Sequence, residues 1–182
     1  CDFFAPARHI TLLPIMSNLF DQALTSVDFS PDGNFLAVSE MDGTGWVLRA
    51  RDAYPLLSFQ IRKYAVVASP LVFSPDGTIL TAVSDDAQLL VIQLKGDTDH
   101  LEGEVIKTIF ERRENQYIPS LRGLTFSSDG SILAATTEGG QLYLWDTGTW
   151  TLVQAPLSHH DYGSQSRPVV IAADNQTIFA AR

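Results

Sequence analysis

The chain has 182 residues, 45% of them apolar and 18% charged, which excludes a disordered chain and allows a substantial core. Acidic residues outnumber basic ones 21 to 12, for a formal net charge of −9. Binding to a phosphate backbone or an anionic membrane surface draws on Lys and Arg, so neither is expected here. A single cysteine, Cys1, excludes an internal disulfide, and no Cys/His spacing of the zinc-finger kind is present.

In chain order, residues 1–24 hold a short apolar run, Ile10 to Leu13, that reads as a trailing strand followed by a loop. Residues 25–60 open on Val27-Asp28-Phe29-Ser30-Pro31-Asp32-Gly33. Apolar runs follow at Phe35 to Val38, Gly45 to Leu48 and Leu56 to Phe59, with the polar turn Glu40-Met41-Asp42-Gly43 between the first two. Residues 68–110 repeat the pattern from Leu71-Val72-Phe73-Ser74-Pro75-Asp76-Gly77, with runs at Ile79 to Val83, Leu89 to Leu94 and Val105 to Phe110. Residues 121–154 repeat it from Leu124-Thr125-Phe126-Ser127-Ser128-Asp129-Gly130, with runs at Ile132 to Ala135, Leu142 to Trp145 and Thr151 to Val153. Residues 167–182 begin a fourth copy, Val169-Val170-Ile171-Ala172-Ala173-Asp174-Asn175, and stop within it. The aromatic or Ile position recurs after 44, 53 and 45 residues.

Each copy reads as four antiparallel strands. Short runs rich in β-branched and aromatic residues, bounded by Gly, Pro and Asp, are strands. Ser-Pro-Asp-Gly is a turn: proline pre-sets φ, Asp bonds the neighbouring backbone, and Gly supplies φ > 0. Asn175 is the next most tolerant residue at that last position. The second strand is apolar nearly throughout, as in a sheet covered on both faces, and Ala37, Ala82, Ala134 and Ala135 suit close sheet-to-sheet contact. Phe29, Phe73 and Phe126 are expected to fill the core. A two-sheet sandwich is the alternative all-β fold, but its strands do not recur as identical four-strand units.

The pattern resembles the WD40 family of β-propellers, which repeats about every 40 to 45 residues with four strands per blade. The most specific match is Leu144-Trp145-Asp146 at the end of a third strand. The Gly-His dipeptide of that family is missing from every copy, so its buried His–Ser/Thr–Asp–Trp network is incomplete. The plain style of the repeats is similar to bacterial members. The resemblance implies an all-β propeller segment: three whole blades, a trailing strand before them and an incomplete blade after. A seven-blade closure makes the chain an excerpt; a four-bladed closure using Ile10 to Leu13 is the alternative.

The resemblance also implies a rim formed by the loops leading into the innermost strands and by the turns between second and third strands. The lead-in positions are Thr25, Ser69, Arg122 and Arg167. Arg122 and Arg167 are equivalent in adjacent copies, and paired guanidiniums suit a carboxylate or phosphate on a partner peptide. With 21 carboxylates in the chain, local ion pairs are the competing use. Tyr117 and Tyr162, with Phe20, lie on the same long loops and are candidate anchors. The insertion Lys95 to Glu104 reads as an acidic loop on the opposite rim. His159-His160-Asp161 is a poor metal site, because neighbours in sequence rarely converge on one ion. Asn175-Gln176-Thr177 matches a glycosylation sequon by chance within a turn.

No catalytic grouping, cofactor loop or metal set is expected. The expected function is a non-catalytic scaffold for protein or peptide partners, acidic ones among them, with the rest of the propeller in a longer chain. The alternatives are a small-ligand or enzymatic propeller and an envelope lipoprotein, since Cys1-Asp2 matches a lipidated mature start. Location follows the reading: cytoplasmic for the scaffold, the cell envelope for the lipoprotein.

Overall fold

A computed structural model describes residues 20, 22–61, 70–83, 88–109, 121–154, 157–158 and 168–180. Fifteen strands make up its regular structure, and no helix occurs among the described residues.

The first sheet runs β1 (Leu24–Phe29), β2 (Phe35–Glu40), β3 (Thr44–Arg49) and β4 (Tyr54–Gln60), paired antiparallel in that order. The second runs β5 (Leu71–Phe73), β6 (Ile79–Val83), β7 (Leu89–Gly96) and β8 (Leu101–Ile109). The third runs β9 (Leu121–Phe126), β10 (Ile132–Thr137), β11 (Gln141–Asp146) and β12 (Thr151–Leu152). There β13 (Leu157–Ser158) also pairs with β11, so the outer strand is split in two. The last pair is β14 (Val169–Ile171) with β15 (Ile178–Ala180). The first strands lie side by side, β1 against β5, β5 against β9 and β9 against β14, which is how blades stack about an axis.

The corner between first and second strands is the same device three times. Ser30 Oγ donates to Asp32 Oδ1 at 2.6 Å and accepts from the Phe35 N–H at 2.9 Å. Ser74 with Asp76 and Ile79, and Ser127 with Asp129 and Ile132, repeat both bonds. Gly33, Gly77 and Gly130 sit at φ of 73°, 72° and 74°, and Asn175 at 54°, in the left-handed region these residue types tolerate. Because each serine hydroxyl stabilises the ionised acid, Asp32, Asp76 and Asp129 are held below the usual carboxylate range.

The core lies between sheets. Ala37, Val47 and Ile61 of the first blade meet Leu71, Phe73, Leu80, Ala82 and Ile92 of the second, all buried. The second and third meet through Val83, Leu89, Phe126, Leu133, Tyr143 and Trp145. Trp145 of the Trp-Asp pair is 1% exposed and stacks on Tyr143 at 5.8 Å, while Asp146 caps the following turn by accepting from the Thr149 N–H. The second strands are buried almost end to end, as expected from their apolar sequence.

Two expectations are corrected. Phe73 and Phe126 are core residues, but Phe29 is 59% exposed. Its register with Leu36 aims it to the side of β1 where no described blade lies, whereas Phe73 and Phe126 face a preceding blade. Nor is Lys95 to Glu104 a loop: Lys95 pairs with Glu102 and Gly96 with Leu101, extending the β7–β8 hairpin. Only residues 97–100 turn, and Gly96 at φ 122° opens that turn.

The extended hairpin is fastened to the preceding blade. Arg49 Nη1 donates to Asp99 at 2.9 Å and to the Thr98 carbonyl at 3.2 Å, while Nε and Nη2 hold Asp52. The Arg49 guanidinium lies 5.0 Å over the Tyr54 ring. One planar fork thereby joins two blades, a role that a lysine ammonium cannot fill.

Candidate functional site

Strand direction places the start of each first strand and the turn between second and third strands at one rim. Arg122 stands second in β9, and Glu138 lies in the turn after β10. Arg122 Nη2 donates to Glu138 Oε2 at 2.6 Å, with the Arg122 side chain 15% and the Glu138 side chain 43% exposed. The competing local use of this arginine is thus the arrangement present. The pair is a charge-assisted hydrogen bond between a largely buried guanidinium and a partly exposed carboxylate.

Thr25, the Arg122 equivalent in the first blade, bonds inward to Ser39, with the hydroxyls 2.9 Å apart. Arg167, Tyr117, Tyr162, Ser69, His159-His160-Asp161, Ile10 to Leu13 and Cys1 lie outside the described residues. Among the described residues no group of three His, Cys, Asp or Glu is placed to hold a metal ion. No described helix is long and apolar enough to cross a membrane.

The structure assigns partners to two further polar residues of the first blade, Glu40 and Asp28. Glu40 is 3% exposed, yet its carboxylate accepts from Trp46 Nε1 at 2.6 Å and from the Gln22 N–H at 3.0 Å. Phe20 packs edge-on against Trp46, with centroids 6.4 Å apart. This fixes the lead-in to β1 and uses up the carboxylate, so it is structural. An acid closing an otherwise apolar run was the available signal.

The second is Asp28, which alternation turns away from Val27 and Phe29 and toward the next blade. Its carboxylate accepts from the Phe73 N–H at 2.8 Å, and Ser26 Oγ accepts from the Leu71 N–H at 3.4 Å. Desolvation by burial raises the Asp28 pKa, against the pull of its backbone hydrogen bonds. Asp28 therefore serves the joint between blades.

On the opposite rim an open cleft of about 350 Å³ is lined by Phe29, Asn34, Arg49, Arg51 and Thr98. Its cations already face acids: Arg49 on Asp52 and Asp99, and Arg51 at 3.7 Å from each of the same two.

Four-stranded antiparallel sheets stacked through their first strands define a β-propeller segment. The family model "WD domain, G-beta repeat" matches residues 17–47 and 108–146. A relative named "COMPASS component SWD3", from Saccharomyces cerevisiae, is 24% identical over 137 residues, 75% of this chain and 39% of that protein. The solved β-propeller domain of Cps50 (Swd1) from Myceliophteria thermophila is similar in fold, with a TM-score of 0.62 at 20% identity. That match covers 80% of this chain and 43% of the other. The chain therefore spans about two fifths of the length of each.

Proposed function

We propose that this chain is part of a non-catalytic interaction scaffold that binds protein partners at the rim carrying Arg122. The observation that carries the reading is the Arg122–Glu138 pair: a guanidinium at the start of an innermost strand, held in place by a partly exposed carboxylate. A partner carboxylate or phosphate would take the place of Glu138 and gain a bidentate contact. Arg167, equivalent by sequence register, supplies a second cation in the same reading. The relative named as a COMPASS component supports a role within a protein assembly. Fold alone does not fix function, so the residues at the rim bear the weight.

The test is affinity capture with the full-length protein, comparing wild type with Arg122→Ala plus Arg167→Ala. Loss of one or more partners is expected. Unchanged capture of every partner refutes the rim reading.

A further inference from the structure

We propose that the outer edge of β8 is a strand-addition site for an extended, basic peptide segment, on the propeller wall and apart from the rim. β8 is the longest outermost strand among those described, nine residues against seven in β4 and two in β12. Glu102 to Lys107 are all exposed, Val105 at 51% and Ile106 at 45%. The blade that carries them is packed between described blades on both sides. β4 differs: Leu56, Leu57 and Phe59 turn into the joint between blades.

Among the described residues nothing pairs with the outer side of β8. A strand edge presents unpaired N–H and C=O groups, which an extended peptide satisfies by adding one more strand. The turn that leads into the edge is tied down by hydrogen bonds. Asp97 Oδ1 accepts from the Asp99 and His100 N–H groups, and Arg49 holds Asp99, so the hairpin pays little ordering entropy on binding. The register shift opposite Val91 and Ile92 leaves Ile106 as an extra residue, which interrupts the regular edge before the ladder resumes at Lys107. Strand addition is therefore confined to Leu101–Val105, with Val105 and Ile106 as an apolar step at its end.

Charge selects the occupant. Glu102 and Glu104 lie two apart and so share a face, which favours lysine or arginine at alternate positions of the incoming segment. Within the hairpin Lys95 lies opposite Glu102, but Glu104 lies opposite the neutral Gln93. A second copy of the chain is a poor fit. Antiparallel self-pairing about Gly103 would set Glu102 against Glu104 of the other copy, and parallel pairing in register would set each acid beside itself.

The test measures fluorescence anisotropy of a labelled, capped hexapeptide alternating lysine with threonine and valine. It is titrated with the whole chain and with a Glu102→Lys plus Glu104→Lys variant, both confirmed folded by thermal melts. Binding by the wild-type chain, weakened about tenfold or more by the charge reversal, is expected, as is a similar loss when alternate peptide nitrogens are methylated. Equal binding by both chains overturns the proposal, and so does undiminished binding of the methylated peptide. Concentration-dependent self-association in sedimentation, abolished by Val105→Pro, would assign the edge to a second copy instead.

Discussion

Ser128 donates both its backbone N–H and its hydroxyl to Asn175 Oδ1, each at 2.8 Å. In the two preceding joints the same positions are Pro31 beside Gly77 and Pro75 beside Gly130, with Pro Cδ 3.6 Å and 3.5 Å from where a glycine Cβ would stand. Proline has no N–H to give and glycine no side chain to accept. The third joint has changed both partners, and a packing contact has become a pair of hydrogen bonds.

That exchange predicts coupling. Ser128→Pro alone removes both donors and should cost about 1–2 kcal/mol. Adding Asn175→Gly recreates the pair found in the other two joints and should recover part of the loss. A urea-denaturation double-mutant cycle reads the coupling; strictly additive effects would mean the two residues act independently.

The Arg49 fork predicts a local effect. Arg49→Lys keeps the charge but loses simultaneous contact with Asp52, Asp99 and the Thr98 carbonyl, and the stack on Tyr54. Amide hydrogen exchange at residues 97–100 should speed up, while β2 and β6 stay protected. Unchanged exchange at the hairpin tip would show that the fork does not hold it.

Gly96→Ala should be among the costly substitutions outside the core. A Cβ there would stand 2.1 Å from the His100 carbonyl oxygen, and φ is 122°. A loss of about 2 kcal/mol or more in chemical denaturation is expected. Gly33→Ala meets nothing within 4 Å at φ 73° and should cost only about 1 kcal/mol.

Asp28 and the corner acids carry opposite pH signs. Asp32, Asp76 and Asp129 have folded pKa values below 3.8, so their contribution is present above that value and lost as pH falls through the lower folded values. Asp28 has a folded pKa above 3.8, so the folded state holds its proton more tightly, and its ionisation erodes stability as pH rises from 3.8 through the raised value. Asp28→Asn, which keeps an acceptor for the Phe73 N–H, should therefore gain on wild type as pH rises through that window. Denaturation midpoints between pH 3 and 7 check it; a constant difference would remove Asp28 from the account.

Much of this fold was legible because its corners are chemical. The serine, the aspartate and the residue at positive φ are all local in sequence, and Asn175 reads as a substitute for glycine on the same grounds. What was not legible depends on partners far along the chain. Phe29 has the sequence surroundings of Phe73 and differs only in what lies against it. Lys95 to Glu104 reads as a loop because its side chains are polar, yet cross-strand pairing, Leu94 and Leu101 in the core, and a fork from another blade make it a hairpin. At the rim, Arg122 stood out as a cation in a lead-in position, but its partner sixteen residues on did not.

The rim reading is tested most directly by the affinity of a captured acidic partner peptide for two single variants of the full-length protein. Arg122→Ala should weaken it about tenfold or more, whereas Glu138→Gln, which frees Arg122 from its competitor, should strengthen it. Affinity that is the same in both variants and in wild type would leave Arg122 and Glu138 as a surface pair with no part in recognition.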